Sequence, residues 1–149
     1  MNLSQHFTLE EMTKSQTALR KGIDNVPNEE QIKNLKALCE NVLEHIRVRY
    51  GKPITVNSGF RCKKLNDAMG GSKTSQHMTG QAADIEIKGV DNLELANWVK
   101  DNLEFDQLIS EFYVKGVPDS GWVHISWNIT GNRRQVLTID TNGTRSGLP

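Results

Sequence analysis

Ser75-Gln76-His77-Met78-Thr79-Gly80-Gln81-Ala82-Ala83-Asp84 changes character halfway along. Its first half is polar and holds a glycine, as loops do, and the residues from Ala82 to Lys88 then alternate as a strand does. On that strand Asp84, Glu86 and Lys88 share one face, while Ile85 and Ile87 share the other. Gly80 lets the loop fold back and set His77 beside Asp84. The later run Trp122-Val123-His124-Ile125-Ser126-Trp127 has the same alternation, with His124 on the polar side. Two imidazoles and one carboxylate on a common polar face form a three-ligand set of the kind that holds catalytic zinc and leaves a fourth position open. Spacing alone also allows plainer readings: a half-buried, hydrogen-bonded His124 and a strand-end carboxylate at Asp84.

Outward from this stretch, the N-terminal third is helical. Thr8 and Glu11 form a capping box, with Phe7 and Met12 at the hydrophobic-staple positions, which predicts a helix from about Leu9 to Lys21. Asn28 caps a second helix in which Ile32, Leu35, Cys39, Val42 and Ile46 make one apolar face, stopped by Gly51 and Pro53. Ile54 to Val56 reads as a short strand, followed by a short helix ending at Gly70-Gly71 and a loop over Ser72 to Gln81. Asp91 and Glu94 form a further capping box and open a helix to about Leu103. Phe105 to Val114, Trp122 to Trp127 and Arg134 to Asp140 read as strands, the first two as a hairpin. Helices precede strands, so the expected class is α+β: an antiparallel sheet carrying the site, packed against the N-terminal helices. One domain over 1–149 is expected, with a motif-bearing core of about 4–127 and a final strand and tail over 128–149.

Eighteen basic residues balance eighteen acidic ones. No basic stripe suggests nucleic acid, and Lys63-Lys64 and Arg133-Arg134 read as solvated surface pairs. No run approaches the roughly 20 apolar residues of a membrane span. Met1 to Leu9 shows no secretory signal. Cys39 and Cys62, both placed in helical segments, read as free thiols of a protein made in a reducing compartment. A monomer is expected.

The pattern Ser75-x-His77-x-x-Gly80-x-Ala82-x-Asp84 with Trp122-Val123-His124 resembles the M15 family of zinc D-Ala-D-Ala peptidases, particularly its small phage and prophage branch. Ser58-Gly59-Phe60-Arg61, Leu65-Asn66, Gly70-Gly71-Ser72, Asp106-Gln107-Leu108-Ile109, His6 to Glu11 and Asn25-Val26-Pro27 extend it over about Ser4 to Trp127. The resemblance implies a Hedgehog/D-Ala-D-Ala peptidase-like fold, zinc on His77, Asp84 and His124, and a peptidoglycan stem peptide as substrate. It places Arg61 on a substrate oxygen, with Ser75 and Gln107 as candidate substrate contacts. It also implies a carboxypeptidase or an endolysin-type endopeptidase, released from a phage-infected cell or carried on a virion. One position departs from the family. Better-known members have an acidic residue three before the last histidine, where this chain has Gly121. Glu111, on the strand expected to pair with Trp122 to Trp127, is the substitute general base, and Asp119 is a second choice. That departure leaves open a non-catalytic zinc module of the same fold, or a phage structural or wall-docking protein.

Overall fold

The computed structural model describes residues 1–149. Thr8 caps α1 (Leu9–Thr13) in a reciprocal box with Glu11. The single helix expected to Lys21 is instead broken after Thr13. The Ser15 hydroxyl accepts from the Ala18 amide and starts a new helix, α2 (Gln16–Lys21), closed by Gly22 in the left-handed region. A serine competes for backbone N–H groups in this way and turns a helix interior into a helix start. Asn28 and Gln31 form the expected box at α3 (Glu29–Leu38). One π-helical turn (Cys39–Leu43) then leads into α4 (Glu44–Tyr50), which ends at Gly51. Leu35, Leu38, Val42 and Ile46 are fully buried along this rod, making it the central helix of the core. Cys39 lies buried in the π turn, and its burial pushes the thiol pKa up. Cys62 was expected in a helix but sits at the N-cap of α5 (Lys63–Ala68). Both thiols are free.

Six strands form one sheet: β1 (Thr55–Ser58), β2 (Ala82–Glu86), β3 (Gln107–Glu111), β4 (Trp122–Ser126), β5 (Gln135–Asp140) and β6 (Gly143–Ser146). Their order is β1-β2-β4-β3-β5-β6. The sheet is mixed, which corrects the antiparallel expectation: β3 and β5 run parallel, and the other pairs are antiparallel. The cause is the connection after β4. It crosses the start of β3, so β5 reverses β4 in direction and lies against the far edge of β3. The short strand β6 had no expectation.

Alternation divides the sheet. Ala83, Ile85, Leu108, Val123 and Ile125 join a 21-residue core with α3, α4 and Leu95, Ala96 and Val99 of α6 (Asn92–Asn102). Asp91 caps α6 through the Leu93 and Glu94 amides, without the reciprocal bond expected from Glu94. The opposite face is the polar one. No helix is long and apolar enough to cross a membrane.

Candidate metal centre

Register builds most of the site. Asp84 pairs with His124 across β2 and β4, and His124 pairs with Ile109 across β4 and β3. Directly paired residues bring side chains on one face together. His77, expected in a loop, lies in a 3₁₀ turn (Gln76–Thr79) capped by Ser75, whose hydroxyl accepts from the His77 amide at 3.2 Å. Gly80 ends that turn at φ 76°, and a Cβ there would overlap the Gln31 carbonyl. The first turns of α3 hold the segment from outside, with Gln31 and Asn34 donating to the Met78 and Thr79 carbonyls.

His77 Nε2 lies 3.3 Å from Asp84 Oδ1, and His124 Nδ1 lies 3.1 Å from the same oxygen. One ligand atom from each of the three residues falls within 4.8 Å of the others. All three residues are buried, at 3, 6 and 7% exposure for His77, Asp84 and His124. His77 Nδ1 is 2.7 Å from the Gly59 carbonyl, which can only accept, so Nδ1 carries a proton and Nε2 is the atom turned toward Asp84. This is how a metal-binding histidine is usually oriented. His124 Nε2 is buried without a partner in the protein, so its hydrogen-bonding edge toward the cluster is Nδ1. The donor set fits a divalent cation of the zinc type.

Burial alone would raise the Asp84 pKa. Hydrogen bonds and charge from His124 and His77 outweigh it and hold the carboxyl well below the usual range, so it is ionised. Arg61 adds a contact of 3.4 Å to Asp84 Oδ2 and is oriented by Ser58 at 2.9 Å and Asn66 at 3.3 Å. Glu111 Oε2 lies 4.0 Å from His124 Nδ1 and accepts from the Trp122 indole at 3.0 Å. Burial, and then the charge of Asp84, push its pKa up from the ordinary glutamate value. A carboxylate shifted that way is suited to exchanging protons.

These groups open into a cleft of about 660 Å³ whose walls include Arg61, Ser75, Gln107, Glu111, Trp122 and Arg133. Asp119 faces a separate hollow beside Glu86 and Lys88 and is not part of this site. Gly121 has φ 63°, and a Cβ there would overlap the Glu111 carbonyl, so this backbone has no place for an acidic side chain.

Sequence reasoning passed over one group in the cleft. Arg133, read as solvated surface, binds the buried Asp106 through Nε and Nη2, both at 3.0 Å, and Gln76 donates to the same carboxylate at 2.7 Å. Its neighbour Arg134 donates to the carbonyls of Lys100 and Leu103 at the end of α6 and lies 4.9 Å over the Phe105 ring. Neither contact has a local signal in the sequence, because Asp106 lies 27 residues before Arg133 and Lys100 lies 34 before Arg134.

The α+β fold with its mixed sheet thus sets a buried His/Asp/His cluster, able to hold a metal ion, in the floor of a polar cleft. Residues 5–126 match the peptidase M15 family, and the chain belongs to it. A zinc D-Ala-D-Ala carboxypeptidase of Streptomyces albus G is 56% identical over 34 residues, 23% of this chain. The match spans 13% of that protein's length.

Proposed function

We propose that this chain is a zinc-dependent peptidase that cleaves peptidoglycan stem peptides. The observation that carries the reading is the convergence of His77, Asp84 and His124 within 4.8 Å beside a glutamate of raised pKa. Family membership and the named relative support the substrate class. Zinc on these three ligands would supply Lewis acidity toward a water and a scissile carbonyl. Glu111, held by Trp122, accepts the proton of the attacking water and returns it to the leaving amine. Arg61 donates to the carbonyl oxygen as it gains charge. Ser75 and Gln107 line the cleft where peptide backbone lies. The protein acts as a monomeric, one-domain wall enzyme, of carboxypeptidase or endolysin type. A phage-borne route to the wall belongs to the same reading.

Muropeptide digestion followed by mass spectrometry, with protein of known zinc content, tests this. Loss of one terminal alanine identifies a carboxypeptidase, and cuts within the stem or cross-link identify an endopeptidase. Glu111→Gln should lower kcat by about 10²–10⁴-fold with zinc retained, and His124→Ala should lose both zinc and activity. The acidic position replaced by Gly121 favours one rival, a zinc module without turnover. Stoichiometric zinc with every muropeptide intact would establish that rival, and a protein that takes up no zinc would sink both.

A further inference from the structure

Two cations line the cleft, Arg61 and Arg133, and they are held differently. Arg61 is 13% exposed and directs an N–H from each of its three nitrogens to Ser58, Asn66 and Asp84. The Arg133 side chain is 58% exposed, yet its guanidinium is fixed. Asp106 Oδ1 accepts from the Arg133 amide and Nε, and Oδ2 accepts from Nη2, each at 3.0 Å. One edge of the guanidinium is thereby committed, leaving Nη1 with both of its N–H groups for the cleft. Asp106 itself is 2% exposed, and Gln76 also donates to its Oδ2. That bond fixes the Gln76 amide, whose Oε1 is then buried without a partner. Gln76, Gln107 and Arg133 all line this end of the cleft.

We propose that Arg133 is a specificity-determining residue that binds an internal carboxylate of the peptide substrate. This rests on the peptidase reading above and deepens it. The position selects which carboxylate. His124 pairs with Ile109, whereas Arg133 is held at Asp106, three residues back along the chain. At about 3.3 Å per residue that is roughly 10 Å from the row of the metal ligands. An extended peptide covers the same distance in about three residues. A C-terminal carboxylate one residue beyond the scissile bond falls short, and a carboxylate on the third residue of the acyl side fits. Because Asp106 already balances the charge of Arg133, the contact works through directed hydrogen bonds, and discrimination of about tenfold is expected.

The test uses the peptide L-Ala-γ-D-Glu-L-Lys-D-Ala-D-Ala and its counterpart in which the glutamate α-carboxylate is a carboxamide. Calorimetric binding to the zinc-loaded Glu111→Gln protein avoids turnover. The acid should bind about ten times more tightly than the amide. Arg133→Gln in that background should bring the ratio near one, and Arg133→Lys should leave an intermediate ratio. Thermal unfolding confirms that each variant is folded, and a purely structural Arg133 would leave the ratio unchanged. Equal affinity for both peptides, no binding of either, a preference that survives Arg133→Gln, or discrimination only at the C-terminal carboxylate would each overturn the proposal. Cleavage by the parent enzyme without acid–amide discrimination would leave the peptidase reading standing and remove this one. Arg133-dependent discrimination by a protein that cleaves neither peptide would do the reverse.

Discussion

Gly121 occupies a spot where the backbone excludes a side chain, since its φ is 63° and a Cβ would run into the Glu111 carbonyl. Gly121→Glu should therefore lose about 2 kcal/mol or more of stability and gain no activity. Urea unfolding at pH 7 measures this, and a variant as stable as the parent would show that the hairpin can rearrange to admit an acid. The proton-handling group is better sought across the strand pair, where Glu111 faces Trp122. That glutamate was legible from strand parity, because Gln107, Ile109 and Glu111 must share a face. His77, Asp84 and His124 were legible because their motif and two alternating strands put them on one side. Arg133 was not legible. Its partner Asp106 lies 27 residues earlier, and no local pattern distinguishes a pinned arginine from a solvated one.

At the scale of elements, Asp106 is the joint of the cleft. It precedes β3, and its side chain ties down the 3₁₀ turn through Gln76 and the approach to β5 through Arg133. Burial pulls its pKa upward, but the hydrogen bonds from Arg133 and Gln76 win and the pKa is lowered. A lowered folded-state pKa contributes stability that is present above the unfolded aspartate value, about 3.9, and disappears as pH falls through the folded value. Asp106→Asn should thus cost about 2 kcal/mol at pH 7. The gap between parent and variant should narrow below about pH 4, as denaturant titrations across pH 3–7 will show. A gap that is constant with pH would mean that the loss comes from packing alone. Caps at Thr8, Asn28 and Asp91 mark helix starts by local chemistry and were readable. Three features depend on competition or on distant pairing. These are the break at Ser15, the π turn inside the long helix, and the parallel β5, whose place depends on where the eight-residue connection after Ser126 lands.

Over the whole molecule, the core and the site lie on opposite faces of one sheet. The 21 buried core residues pack α3, α4 and α6 against the apolar face, and none of them is a candidate ligand. Small metal domains that lack such a core unfold when the ion is removed. Here the fold should persist without it, because Arg61 and the two histidines already face the buried Asp84 carboxylate. Zinc would then add stability only by mass action, about 2.7 kcal/mol at a free concentration one hundred times its Kd. For a chain of this length that corresponds to a rise in Tm of roughly 5–10 °C. Scanning calorimetry with zinc and with chelator should show this rise, and His77→Ala should abolish it while leaving a cooperative transition. Unfolding at 25 °C on chelation would contradict the division of labour: the metal would then be holding the two strands and the 3₁₀ turn together, and the core alone would not be enough to build the site before the ion arrives.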